Sequence, residues 1–246
     1  MFERRHDIQA IGIDRITYVV GVFSLSSRGR LTDRDLDRFA GDNLFDRIAR
    51  AVCHAGCLPR KELYEAWETA RRARRLFRGG RVVDLGGGHG LLAQMMLLLD
   101  DTSPGAVVVD KVLPPSSAAL HEVLVASWPR LSGRVAFVAD GLQDAAILPT
   151  DIVVSSHACG TLTDVVLERA AAARARVAVL PCCHDFTACD SGGLTPWVPP
   201  DLAIDVMRAL RLRGQGYRIW MQRIPAGITP KNRLLLGAPE PSDSAH

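Results

Sequence analysis

The sequence predicts an α/β fold in which a mostly parallel sheet of seven strands carries helices on both faces. Three observations lead there. Five short apolar runs, within 82–83, 106–110, 134–140, 151–156 and 176–180, recur along the chain. Continuous runs of this length are strands covered on both sides. The first run turns on Gly86, Gly88 and Gly90 into the apolar stretch Leu91–Leu99, which reads as a helix packed under the sheet. Two last strands, Tyr217–Ile224 and Arg233–Leu236, then form a hairpin across Thr229-Pro-Lys-Asn.

Helical patterning precedes this core. Residues 1–15 are expected to be loose. Thr32-Asp-Arg-Asp35 reads as a helix N-cap, with Asp35 in the place of the usual Glu or Gln. A helix over about 42–55 puts Leu44, Ile48, Ala51 and Val52 on one face. Pro59 opens another, running to about Phe77 with Leu63, Trp67 and Ala70 as its apolar stripe. His54, between Cys53 and Cys57, reads as structural. Arg71, Arg72, Arg74, Arg75 and Arg78 make the end of the second helix basic. Such an end is either a solvated face that suits the helix dipole or a contact for an RNA backbone. Pro199-Pro200-Asp201 starts a later helix, which Gly214-Gln-Gly216 breaks. The expected division is a helical extension over 1–78, a core over 79–238 and a flexible tail over 239–246.

Composition narrows the classes. The net charge is +3, carried by 27 Arg and only three Lys, at 61, 111 and 231. Such a balance permits an RNA partner without demanding one, and nothing points to DNA. The opening Met-Phe-Glu-Arg-Arg-His-Asp has no apolar signal core. The longest apolar stretch, 91–99, contains Gln94 and falls far short of the roughly 20 residues that span a bilayer. A cytoplasmic protein with no membrane partner is expected, its six cysteines present as thiols.

The glycine turn is selective in what it excludes. A dinucleotide fingerprint needs a glycine at 91, which is Leu, and a P-loop needs a lysine at its end, where the nearest is Lys111. Asp110 ends the second strand 26 residues after Asp84, where a ribose-binding carboxylate is expected in a sheet of this type. The third strand ends in Asp140-Gly141. Asp84-x-Gly86-x-Gly88-x-Gly90 resembles motif I of the class I S-adenosylmethionine (SAM) methyltransferases. The resemblance implies a Rossmann-like methyltransferase sheet with an antiparallel last strand, and SAM as cofactor. It also implies that the 84–90 loop wraps the amino-acid end of SAM, with Asp110 and Lys111 near the ribose and Asp140 and Gly141 near the adenine amino group.

Two loops at the C-terminal strand edge carry the remaining chemistry. His157-Ala-Cys159-Gly, Thr163-Asp164 and Cys182-Cys183-His184 resemble a signature shared by the eukaryotic tRNA acceptor-stem 2′-O-methyltransferases and their relatives. Among those relatives is the methyltransferase part of glutathione S-transferase C-terminal domain-containing protein. The likeness is clearest over 155–184 and implies an RNA acceptor, with a tRNA ribose 2′-hydroxyl as the specific case. The zinc-finger segment of the tRNA enzymes is absent, and no Cys-x-x-Cys pair occurs. A small-molecule acceptor and a catalytically silent SAM-binding protein are the alternatives.

Several roles stand open for this cluster. His184 can serve as general base, since a histidine pKa near 6.5 suits proton removal at neutral pH. Cys182 or Cys183 can serve as a thiolate nucleophile, with Cys159 at a comparable point. His157, Cys159, Cys182, Cys183, His184 and Cys189 can be drawn as a metal site, but their spacing is not a zinc-ribbon pattern and no metal is expected. Free cysteines are also common packing residues, and His157 can simply bond a loop. No [Asp/Asn]-Pro-Pro-aromatic sequence follows strand four, which lowers the weight of amino-group methylation. Lys231 and Arg233 are candidates to hold an anionic substrate, and Asn232 reads equally as a turn residue.

Overall fold

The structure is a computed structural model that describes residues 23–241, so the expectations for 1–15 and for the last five residues of the tail lie outside the described residues. Thr32 N–H donates to the Asp35 carboxylate at 3.2 Å, the back-bond of a capping box, and opens a short 3-10 turn over Asp33–Arg38. Helix α1 spans Leu44–Ala55, capped by the Asn43 side chain and ended at Gly56 in the left-handed conformation. Helix α2 spans Arg60–Leu76 directly after Pro59. Phe45 packs its ring 5.2 Å from both Tyr64 and Trp67, tying α1 to α2.

The sheet follows as β1 (Val82–Leu85), β2 (Ala106–Asp110), β3 (Val135–Ala139), β4 (Ile152–Ser155), β5 (Arg176–Val179), β6 (Tyr217–Arg223) and β7 (Arg233–Pro239). Helices α3 (Leu91–Leu99), α4 (Ser116–Ser127), α5 (Leu162–Ala172) and α6 (Pro200–Gly214) connect them. Among the described residues the strand order is β3-β2-β1-β4-β5-β7-β6. The first five strands are parallel, and β7 enters antiparallel between β5 and β6, as expected. Two boundaries move. Asp84 lies inside β1 rather than in the turn after it. Pro239, expected in the loose tail, pairs with Tyr217, and Glu240 N–H donates to the Gly216 carbonyl at 2.9 Å.

Successive strand residues alternate between two apolar layers, as the two-residue period of a strand requires. Val82, Val108, Ile152, Val154 and Leu236 face α1 through α4, whereas Val83, Leu85, Val109, Val153 and Val177 face α5 and α6. The helical extension therefore belongs to the main core: Leu63, Ala66, Trp67 and Ala70 of α2 lie in the same apolar layer as Leu92, Met95 and Met96 of α3. No helix among the described residues is long and apolar enough to cross a membrane.

The basic end of α2 is mostly consumed by this packing. The Arg74 side chain is 3% exposed and pairs with Asp100 at 3.1 Å, while also donating to Met96 O at 2.9 Å and Ser103 Oγ at 2.7 Å. Burial pulls its pKa down to about 10, against the upward pull of Asp100, so it stays charged at neutral pH. Arg71 and Arg72 both engage Glu68, and Arg72 also donates to the Arg223 carbonyl. Arg74→Ala would take the buried cation from Asp100, which keeps Gly79 N–H, Thr102 and Arg78 as partners. The expected cost is about 3 kcal/mol in urea unfolding, the lower end for breaking a buried ion pair, and a loss under 1 kcal/mol would show that the pair does not hold this corner together.

Candidate active site

A cavity of about 720 Å³ opens where the C-terminal ends of the parallel strands meet the first turns of α2. Parallel α/β sheets bind ligands along that edge. Its floor is the loop Gly86–Gly88. Its sides are Asp110 and Lys111 after β2, Asp140 and Gly141 after β3, and Ser156–Ala158 after β4. Leu58, Glu62 and Ala66 close it from the helical extension. These last residues were not foreseen, because a wall made by packing a remote helix leaves no local signal in the chain.

Geometry demands the glycines. Gly86, Gly88 and Gly90 have φ of +69°, +50° and +71°, in the left-handed region where a side chain is strained. A Cβ on Gly87 would lie 2.7 Å from the Asp84 carboxyl carbon. Asp84 does not line the cavity. It is buried under the loop and accepts a hydrogen bond from Ala93 N–H at 3.2 Å. Gly90, the residue before α3, also sits behind the lining. Asp84 and Gly90 thus shape the loop, while Gly86 and Gly88 present it. Burial, with Asp110 nearby, raises the Asp84 pKa to about 7. Asp110 accepts from Gly88 N–H at 3.0 Å, which joins the second strand's acid to the glycine loop.

The lining is acidic. Glu62, Asp110, Asp140 and Asp144 face the cavity with Lys111 as the one Lys or Arg among them. Four carboxylates around bare backbone fit a ligand that carries a sulfonium and an ammonium, and the glycine cradle that any Cβ would strain or fill agrees with SAM. His157 also faces the cavity. Burial pulls its pKa to about 4, with Lys61 and His89 pushing the same way, so the ring is neutral at pH 7.

The two signature loops are bolted together beside this cavity. Gly160 N–H donates to Cys183 O at 3.1 Å. Arg208, 1% exposed, grips the Asp164 carboxylate through Nε at 3.0 Å and a terminal nitrogen at 2.8 Å, and reaches Gly160 O at 2.9 Å. Cys159 Sγ and Cys182 Sγ stand 3.3 Å apart, and Cys183 Sγ joins them within 4.8 Å. The Cys159 and Cys182 thiols share a hydrogen bond that, with Cys183, Lys61 and Lys231, holds the Cys159 pKa below the ordinary thiol value against the effect of burial. The Cys182 pKa rises correspondingly.

Three expectations change here. The His184 ring is wholly buried, with Nε2 on Asp205 Oδ1 at 2.7 Å, and it does not line the cavity. The loop after β5 sets it against Asp205 of α6, outside the cavity lining. Cys189 is likewise buried, 3.7 Å from Asp164. Arg233 is occupied by Asp201 and Asp205, and Asn232 donates to the Ile224 carbonyl at 3.0 Å, so neither is open to an anionic substrate. The exposed end of α2 is also displaced. Glu62 lines the cavity, whereas Arg75 follows 13 residues later, about 20 Å along the helix axis.

Comparison with known proteins agrees with this geometry. The model of a family described as a methyltransferase domain matches residues 62–188, just over half of the chain. No curated protein sequence matches. Similar folds occur in an O-methyltransferase family protein from Burkholderia thailandensis, at 17% identity over 89% of this chain and 67% of that one, with a TM-score of 0.50. The SAM-dependent methyltransferase SibL gives 17% identity over 87% of this chain and 67% of its own, at 0.48. A candidate RNA methyltransferase from Pyrococcus horikoshii gives 17% over 74% and 84%, at 0.44. The chain spans 57–67% of the length of the first five similar structures.

The buried Asp84 carboxyl gives a test of the loop's electrostatics. Its folded pKa, about 7, lies above the roughly 3.9 of an unfolded aspartate. The folded state therefore holds the proton more tightly, and stability is lost as pH rises from about 4 to about 7. Whatever constant effect the amide adds, Asp84→Asn should gain melting temperature relative to wild type between pH 5 and pH 8. A difference that stays constant with pH would mean that Asp84 ionises as freely as in the unfolded chain.

Proposed function

The chain belongs to the methyltransferase-domain family, and from that premise we propose that this SAM-dependent enzyme methylates a small, neutral or cationic acceptor held in the 720 Å³ cavity. The acidic lining carries the reading. Asp110 and Asp140 are taken up by the cationic methyl donor in this reading, and Glu62 and Asp144 remain in the lining to disfavour a phosphate backbone. A volume in the range of about 300–1,000 Å³ is that of small-molecule sites. The arginines once available for RNA are tied to Glu68 and Asp100 or stand a helix length away. RNA, including a tRNA ribose hydroxyl, is the second reading, and it rests on the motif likeness over 155–184 alone.

Bound SAM supplies an electrophilic methyl on a sulfonium. The chain's own part is to bind and orient. In this reading the loop Gly86–Gly88, bare of side chains, lets the amino-acid end lie directly against its backbone. Asp110 accepts from the ribose hydroxyls beside Lys111, and Asp140 and Gly141 frame the adenine. Leu58 and Ala66 exclude water, and alignment of acceptor with methyl supplies much of the rate. His157, neutral and facing the cavity, accepts a hydrogen bond from the acceptor hydroxyl and so aims its oxygen at the methyl; its lowered pKa suits it to orienting the acceptor rather than to holding the proton.

Calorimetric titration with S-adenosylhomocysteine checks the cofactor site. Asp110→Ala should lose about 1.5–3 kcal/mol, or one to two decades of affinity. Undetectable binding by wild type at millimolar ligand would overturn the methyltransferase reading of the cavity. His157→Ala should lower kcat by about tenfold or more, as loss of an orienting contact does, with little change in cofactor affinity, whereas His184→Ala should register in stability. Turnover intact in His157→Ala would remove it from the reaction. Incubation with methyl-labelled SAM, total RNA and a set of small hydroxyl and amine acceptors separates the two acceptor classes. Label recovered only in RNA would reverse the proposed choice.

A further inference from the structure

The cysteine trio has a geometry that methyl-donor binding does not use. Cys159 follows the cavity-lining Ala158, and Cys182 and Cys183 come from the loop after β5. Their sulfurs all lie within 4.8 Å of one another, with 3.3 Å between Cys159 and Cys182. Three sulfurs at about 2.3 Å from a tetrahedral ion stand about 3.8 Å apart, so shifts of ångström size or less would close the set around one ion. The backbone is already fixed by the Gly160–Cys183 hydrogen bond and by the Arg208 grip on Gly160 and Asp164.

We propose that Cys159, Cys182 and Cys183 form a three-thiolate site for one thiophilic divalent ion, zinc by chemistry, with a fourth coordination position open to solvent at the acceptor edge of the cavity. Thiolates select zinc over magnesium or calcium. Among the described residues no fourth His, Cys, Asp or Glu ligand atom joins the three sulfurs within 4.8 Å: both ring nitrogens of His184 fall outside the set, with Nε2 held by Asp205, and Cys189 is buried against Asp164 and Arg208. Cys159 and Cys183 are exposed, so the open side faces outward rather than into the core. Three protein ligands with one position free is the arrangement of reactive zinc, whereas structural zinc takes four. A disulfide would use two of the sulfurs and leave the third without a role. On the methyltransferase reading, the open position takes the acceptor's hydroxyl or thiol and eases loss of its proton. The metal assignment itself does not depend on that reading.

The test uses the full chain, reduced, stripped of metal and titrated with Co²⁺ alone. One equivalent should bind with a thiolate-to-cobalt charge-transfer band, and Zn²⁺ should displace it. Cys159→Ser, Cys182→Ser and Cys183→Ser should each weaken binding by about tenfold to 100-fold or more, while Cys189→Ser should bind as wild type does. Each variant's fold is checked by its S-adenosylhomocysteine affinity, which should hold throughout. The proposal fails if the reduced chain gives no charge-transfer band, if the band survives all three serine variants, or if Cys189→Ser abolishes it. It also fails if the sulfurs of Cys159 and Cys182 return from metal-free reducing buffer as a disulfide. Absent cofactor binding alongside a normal cobalt band would count against the methyltransferase reading and leave the metal site standing.

Discussion

One buried guanidinium holds the site's architecture in place. Arg208 leaves α6 and takes Asp164 in a two-pronged grip, with Gly160 O on the same side chain. Through Gly160 it fixes the loop after β4, and through the Gly160–Cys183 bond it fixes the loop after β5. Asp205, one helical turn before Arg208, carries the same order outward to His184 and to Arg233 of β7. A charge this deep is stable only while its partners stay, and removing one costs about 3–5 kcal/mol. That cooperativity lets two irregular loops be held as firmly as strand.

The antiparallel β7 makes this arrangement possible. Its insertion between β5 and β6 brings Arg233 to the C-terminal edge of β5, where Asp201 and Asp205 of α6 receive it. Tyr217 at the start of β6 donates to the carbonyls of Ala170 and Ala175, at 3.0 and 2.9 Å, and so locks the opposite end of the same layer. The residues from α6 onward therefore position chemistry contributed by earlier segments without themselves lining the cavity.

Much of the fold was legible because each strand is an apolar run bounded by turn residues, and because the terminal hairpin has a Pro-Lys-Asn turn. The ligand edge was legible because Gly86, Gly88, Asp110 and Asp140 occur at strand ends, where the parallel topology must gather them. Three kinds of information stayed hidden. Burial decides whether an arginine is a solvated contact or a structural ion, and nothing around Arg74 in the chain distinguishes it from Arg75. Side-chain placement decides whether a histidine meets ligand or core, so His157 and His184 look alike in sequence, yet one lines the cavity and the other is buried against Asp205. Remote packing decides the fourth wall: Leu58, Glu62 and Ala66 reach the cavity only because α2 shares an apolar layer with α3.

These distinctions change what the loop signature can mean. Thr163 donates to the Ala158 carbonyl, Asp164 receives Arg208, and His184 is pinned to Asp205. Three of the motif's polar residues thus hold the loops in shape, and they would be required for any acceptor that needs this shape. His157, Cys159, Cys182 and Cys183 are the members left turned toward the cavity or the solvent beside it. On the proposed reading, acceptor choice rests on a neutral imidazole, a cluster of thiols and an acidic wall. None of these favours a polyanion, and together they suit a compact nucleophile held next to a positively charged methyl donor.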